Sequence, residues 1–264
     1  MSFEQREKIL GFLLLILVSI LYFFANLQKV VVPGSVFNEL QQIFNCDAGS
    51  VTGLGAGFMY VYSLNQLTVG LLADRYSGTR VIMFGGALFC IGSLLSAYSG
   101  SLGVLMFSRI LTGFGASVIY LSMLKLIFRI TPENFTVVLG IIMLVGYSGS
   151  IVSGAPFVKF VNAFGYSKCM LAIGIVTVIC YVLFLINALC SKLPPVEQSV
   201  KLNLTSFKNV LKQKHNLHLY MTTGIGFAVF YSMQMTIGKK YMEDFTGLSS
   251  DIATVYISAS QSRT

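Results

Sequence analysis

The chain has 264 residues, of which 55% are hydrophobic and only 11% charged, with a formal net charge of +8. A soluble domain carries roughly 25% charged residues, so a water-facing surface over most of this chain is excluded, and a mean hydropathy of +0.77 points the same way. The basic residues sit in short loops beside apolar runs and form no continuous face, which excludes nucleic-acid binding and leaves a polytopic helical membrane protein in a lipid bilayer.

In chain order, seven apolar segments stand out, at about 9–32, 49–73, 80–98, 102–128, 135–160, 166–190 and 217–238. Each approaches the roughly 20 residues that a helix needs to span the hydrocarbon layer. The first follows Arg6 and Lys8, as a signal peptide would. Its apolar stretch from Ile9 to Ala25 exceeds the usual h-region of roughly 7–15 residues, and no small-x-small site follows, so it is read as a retained first helix. Tyr22, Asn26 and Lys29 share one face of it at i, i+4, i+7 spacing. On the second segment Tyr62 and Gln66 share a face, with Asn65 beside them.

A charged turn, Gly70-Leu-Leu-Ala-Asp74-Arg75-Tyr-Ser-Gly78-Thr-Arg80, joins the second and third segments. Gly70 permits close helix approach, and the Asp74 carboxylate can accept bonds from Arg75, Arg80 or a helix N-terminus. The fourth segment carries Leu105-Met-Phe-Ser-Arg109-Ile-Leu-Thr-Gly113-Phe-Gly115-Ala116. Arg109 lies about seven residues into the span, hence on the order of 10 Å deep at 1.5 Å per residue. An arginine at that depth is costly and faces a wet interior unless it snorkels to the headgroups. Arg109, Gly113 and Tyr120 fall on one face. The fifth segment has a small-residue stripe, Gly146-x3-Ser150-x3-Gly154, suited to close packing, with Tyr147 alongside and Pro156 placed to kink the helix. Phe164-Gly165-Tyr166-Ser-Lys168 forms the turn into the sixth segment.

The connection 191–216 is the longest, Lys-rich and opened by Pro194-Pro195; its Phe207/Val210/Leu211 spacing allows a short amphipathic helix on the membrane surface. These features divide the chain into a six-helix domain at 1–190, a cytoplasmic basic linker at 191–216, and the start of a second transmembrane domain at 217–264 whose eighth helix is partial. An N-terminus on the cytoplasmic side puts Arg6, Lys8, Arg75, Arg80, Lys125, Arg129 and the five lysines of the linker region inside, against Lys159, Lys168, Lys239 and Lys240 outside.

Taken together, the pattern resembles the major facilitator superfamily, whose members have two six-helix halves joined by a long cytoplasmic linker. The charged turn is similar to the family's Gly-x-x-x-Asp-Arg-x-Gly-x-Arg/Lys-Arg/Lys loop: Gly70, Asp74 and Arg75 match in register and Arg80 fits the last basic position. Ser77 holds the place of the second glycine, Gly78 comes one residue late, and Thr79 replaces the preceding basic residue. The fourth segment resembles the family's Leu-x-x-x-Arg-x-x-x-Gly-x-Gly-Ala pattern. The fifth lacks the Gly-Pro-x-x-Gly-Gly pattern of family exporters that act as antiporters, which argues against a drug exporter.

The resemblance implies an all-α bundle of two inverted three-helix repeats plus a seventh span, and secondary transport of a small solute by alternating access. It implies a central cavity lined by the first, second, fourth and fifth helices. On that reading Tyr22, Asn26, Lys29, Tyr62, Asn65, Gln66, Arg109, Tyr120 and Tyr147 contact solute. Gly70, Asp74, Arg75, Gly78 and Arg80 gate, while Gly113, Gly115, Gly146, Ser150, Gly154 and Pro156 pack helices. Lys29 and Arg109 without a buried Asp or Glu in the first six spans favour an organic or phosphorylated anion. No residue identifies a coupling ion. The rival readings are a truncated remnant without transport, and a membrane scaffold or half-transporter that needs a partner chain supplying the second half. A bacterial inner membrane is the expected location.

Enzyme chemistry is not expected. His215 and His218, the two histidines, have no Cys or acidic partners at metal-ligand spacing. The five cysteines show no paired spacing either, and no glycine run matches a phosphate-cradling loop, so neither metal nor cofactor is expected.

Overall fold

The computed structural model describes residues 3–191, 213–249, 252–253 and 255–257. Apolar length drives the first helix, α1 (Phe3–Val30), into a single 28-residue rod. It runs on through a π-type turn at Val31–Ser35, where Val32 leaves helical geometry and the Val32–Pro33 peptide is cis. A short helix that the sequence reading passed over, α2 (Phe37–Phe44), follows and stops at Asn45, whose φ of 46° is left-handed. Helix α3 (Ala48–Arg75) starts at Asp47, which accepts from the Ser50 backbone N–H at 3.2 Å and from the Ser50 hydroxyl. Those bonds hold the Asp47 carboxyl below the usual carboxylate range.

Helices α4 (Gly78–Ala97) and α5 (Leu102–Ile130) follow, the second capped by the Ser101 hydroxyl accepting from the Val104 N–H. The stretch read from sequence as one segment at 135–160 is two helices, α6 (Phe135–Val152) and α7 (Ala155–Phe164). The break falls at Ser153-Gly154, ahead of the expected kink. Pro156 therefore sits in the first turn of α7, where a missing N–H costs nothing. Gly165, at φ 86°, turns the chain into α8 (Tyr166–Cys190). After the linker, most of which (192–212) lies outside the described residues, α9 (Lys214–Phe230) passes through a second π-type stretch at Tyr231–Ile237 into α10 (Gly238–Thr246).

The fold is all-α and polytopic, with no strand among the described residues. Among the described residues, five stretches are long and apolar enough to cross a membrane: Gln5–Ser35, Gly78–Ala97, Leu102–Ile130, Phe135–Val152 and Tyr166–Cys190. At 28 residues α3 is about 42 Å long at 1.5 Å per residue, long enough to cross, but Tyr60, Tyr62, Asn65 and Gln66 dilute its hydropathy.

Packing pairs the spans in a pattern with internal symmetry. The main contacts are α1 with α5, α6 and α8, α3 with α5, and α4 with α5 and α8. Exchanging the first three spans (α1, α3, α4) with the next three (α5, α6, α8) leaves this pattern unchanged. The α1–α6 pair becomes α5–α3, α4–α5 becomes α8–α1, and α1–α5 and α4–α8 map onto themselves. An odd number of spans per unit makes the second unit run opposite to the first, the arrangement of an inverted repeat. One apolar core lies around Leu14, Phe89, Ile119 and Phe184, and a second around Leu27, Phe37, Leu54 and Met170. Close approach is set at the α3–α5 crossing by Gly113, where a Cβ would stand 2.7 Å from the Phe58 carbonyl oxygen.

Candidate functional site

Four phenols from four helices converge on one side of the bundle. The Tyr22 ring of α1 stacks on Tyr120 of α5, with centroids 5.7 Å apart, and its hydroxyl reaches Met143 Sδ at 3.7 Å. Gly146 of α6 makes room for it, because a Cβ there would lie 2.2 Å from the Tyr22 ring. Tyr62 of α3 stacks on Phe58 at 5.9 Å, with Gln66 in hydrogen-bonding reach of its hydroxyl. Tyr147 of α6, 55% exposed, is within electrostatic range of Tyr22, Tyr62 and Tyr120.

The two asparagines spend their amides on protein partners. Asn26 Nδ2 donates to its own helix at the Tyr22 carbonyl, 3.0 Å away. Asn65 Nδ2 donates to Ser117 Oγ on α5 at 2.7 Å. Both are buried, and only the Asn65 amide joins two helices, α3 and α5.

Arg109 is 2% exposed. Its Nη1 donates to the Gln28 carbonyl of α1 at 3.0 Å, and its guanidinium covers the Phe58 ring at 4.4 Å. The Gln28 side chain is itself fixed by donating to Ser93 Oγ of α4 at 2.6 Å. Arg109 thus ties α5 to α1 and α3, and does not snorkel. Lys29 is half-buried, with Nζ 5.7 Å from the centroids of both Phe227 and Tyr231 in the seventh span. Among the described residues no carboxylate pairs with either cation.

At the charged turn, the Gly70 carbonyl accepts from Lys125 Nζ at 3.3 Å. Arg75 and Arg80 are exposed, the former over its neighbour Tyr76, and the Asp74 side chain lies outside the described residues. Gly78 packs against α5, where a Cβ would meet the Ser122 carbonyl at 2.8 Å. Gly115 closes on Phe89 and the Gly85 carbonyl in the same way. Ser150 is buried on α6, and Gly154 precedes the first turn of α7.

This bundle, with its charged turn after α3 and its arginine inside α5, matches the family model of the Major Facilitator Superfamily over residues 8–261. The chain belongs to that superfamily. It is similar to a Helicobacter pylori (strain G27) protein whose name describes a sugar efflux transporter, at 27% identity over 132 residues, covering 50% of this chain and 34% of that one. It is also similar to a 4-hydroxybenzoate transporter of Pseudomonas aeruginosa, at 27% over 172 residues, 65% of this chain and 38% of the relative. Its fold is that of a bacterial homologue of the human lysosomal transporter Spinster, solved inward-facing and unoccupied. There the TM-score is 0.69 at 15% identity, over 97% of this chain and 59% of that one. The chain spans about a third of the length of these curated relatives. As a superfamily member it is an integral, multi-pass membrane protein.

Sequence reasoning gave no place at the site to several residues near the superfamily arginine: Gln28, Phe58, Tyr231, and Tyr166, which it named only as part of a turn. Gln28 carried a usable signal, a polar residue inside an apolar span. The other three are aromatics in apolar runs, and only the folded chain brings them to Arg109.

Proposed function

We propose that the chain carries the first six-helix domain (1–190), the basic linker (191–216) and the start of the second domain (217–264) of a secondary transporter for a small organic or phosphorylated anion. The observation that supports this reading is the pair of cations inside the bundle, Lys29 and Arg109, with no carboxylate beside them among the described residues. A buried charge without a counter-charge costs several kcal/mol, and an anionic solute supplies one. The likeness to a 4-hydroxybenzoate transporter favours a carboxylate. Lys29 is the more accessible cation, and the phenols of Tyr22, Tyr62, Tyr120 and Tyr147 with Gln66 offer the adjoining wall for the solute's body.

Contacts at one end of the bundle support a reading of alternating access. There Lys239 of α10 donates to the Ser35 carbonyl at 3.0 Å, and Asn38 donates to Glu243 at 2.8 Å, joining the first and seventh spans. With the N-terminus cytoplasmic, as the placement of basic residues favours, this is the outer side of a bacterial inner membrane, held shut. The turn with Gly70, Asp74, Arg75, Gly78 and Arg80 then lies on the inner side, as the gate that rearranges when the bundle rocks.

The test is uptake into proteoliposomes holding the purified 264-residue chain, with labelled benzoate, glycerol phosphate and glucose. Anion uptake that falls about tenfold or more in Lys29→Gln, and exceeds glucose uptake in the wild type, is the expected result. Anion uptake that is unchanged in both Lys29→Gln and Arg109→Gln, or preference for glucose, overturns the anion reading.

A further inference from the structure

The guanidinium of Arg109 presents three nitrogens, and the fold uses one. Nη1 is taken by the Gln28 carbonyl, while Nε and Nη2 are fully buried and meet no hydrogen-bond partner. Those two nitrogens form a single edge of the planar group, with two parallel N–H vectors. That edge matches the paired oxygens of a carboxylate or phosphate and no monatomic ion. Two hydroxyls stand within electrostatic range of the same group, Tyr166 at the start of α8 and Tyr231 in the seventh span. Both are buried; the Tyr166 hydroxyl meets no hydrogen-bond partner, and the Tyr231 hydroxyl has only the Thr236 hydroxyl within reach. Buried polar atoms in folded proteins almost always have partners. Here two guanidinium donors and the Tyr166 hydroxyl lack them, and no anionic acceptor stands beside the cation among the described residues.

We infer that the Nε–Nη2 edge of Arg109, with the Tyr166 and Tyr231 hydroxyls, is a bidentate oxyanion subsite for the carboxylate or phosphate group of a small solute. The inference rests on the reading that the solute is an anion, and it locates the anionic group at Arg109 where accessibility alone would favour Lys29. Because Tyr166 and Arg109 belong to the six-helix domain and Tyr231 to the seventh span, an oxyanion bound there bridges the two parts of the chain. Binding is thereby linked to how those parts sit together. Lys29, 5.7 Å above the Tyr231 ring, flanks the subsite.

The test is the thermal midpoint of the purified full chain in a phospholipid-free maltoside detergent, titrated with sodium benzoate, inorganic phosphate or sodium chloride at matched ionic strength. Benzoate or phosphate is expected to raise the midpoint with a saturable dependence, and chloride is not. Arg109→Lys keeps the charge but loses the paired edge, so oxyanion affinity should fall about tenfold or more. Tyr231→Phe is the more discriminating variant. It removes a hydroxyl whose one neighbour in the empty chain is the Thr236 hydroxyl, so the empty protein should lose little stability, while oxyanion affinity falls several-fold. A wild-type chain that no oxyanion stabilises, or an Arg109→Lys chain that binds as tightly as wild type, overturns the subsite. So does stabilisation by chloride to the same extent. Added phosphatidylglycerol that reproduces the shift in place of benzoate assigns the oxyanion to a lipid headgroup and overturns a solute subsite. Binding needs no flux, so intact oxyanion binding without uptake refutes the transport reading alone. Anion uptake that depends on Lys29 but not on Arg109 or Tyr231 refutes the subsite alone.

Discussion

At Ser77 the backbone takes a φ of 41°, a left-handed conformation that a residue with a Cβ enters at a cost of about 1–2 kcal/mol. This is the position where the superfamily's loop pattern carries its second glycine. Gly78, one residue later, answers a different demand: it lies in ordinary helical geometry, but α5 stands where its Cβ would be. Two adjacent positions therefore favour glycine for unrelated reasons, one for backbone angle and one for space, and the sequence supplies it at only one. Ser77→Gly should raise stability by roughly 0.5–1 kcal/mol, seen as a higher thermal midpoint of the purified chain. Gly78→Ala should lower it, because the atom in the way is a backbone carbonyl that cannot swing aside. Equal and small shifts for both would refute this division of roles.

At the scale of elements, helices are placed by what lies between them. The α3–α5 crossing depends on Gly113, so Gly113→Ala pushes α5 off the Phe58 backbone and should cost roughly 1–3 kcal/mol. Gly140 on α6 has nothing within 4 Å of a Cβ, and Gly140→Ala should be neutral or stabilising by up to about 1 kcal/mol. Comparing the two midpoints separates packing from helix propensity. The start of α3 depends instead on a cap. Asp47 has its carboxyl held below the usual range by bonds from Ser50, so its contribution is present at neutral pH. That contribution is lost as pH falls through the depressed value. Protection of the first turn of α3, taken as its exchange rate relative to the unstructured amide at the same pH, should therefore fall in acid in the wild type, and at all pH values in Asp47→Ala. In Asp47→Asn that protection should persist and lose its pH dependence, because an amide caps without titrating.

For the whole molecule, the contacts that matter are those between the six-helix bundle and the seventh span. Lys239 is 4% exposed, lies 4.0 Å from Glu243 and donates to the Ser35 carbonyl, while Glu243 accepts from Asn38. Lys239→Ala removes the donor and leaves the Ser35 carbonyl and Glu243 to find water, which favours separation of the two ends. A cysteine placed at Asn38, with Cys46 and Cys190 replaced by Ser, should then react with a membrane-impermeant maleimide roughly tenfold faster than in the Lys239 parent. Unchanged labelling would show that the latch does not hold this end.

The sequence by itself determined the membrane class, the order of the spans, the charged turn and the arginine inside the fourth span. Each of these is written in local composition: apolar length, breaks in it, and one charge where hydrocarbon should be. It also marked Tyr22, Tyr62 and Tyr120, because i, i+4 and i+7 spacing decides which residues share a helix face. Only the tertiary structure decided what those faces meet. Asn65 turns to Ser117, Arg109 to the Gln28 carbonyl and the Phe58 ring, and Lys29 to two rings more than 190 positions away along the chain. The break at Ser153-Gly154 and the short α2 were hidden for a related reason, since each is set by packing at the end of a span more than by its own periodicity. A helix face is a local property of 3.6 residues per turn, whereas the partner of a buried cation is chosen by the crossing of helices distant in sequence.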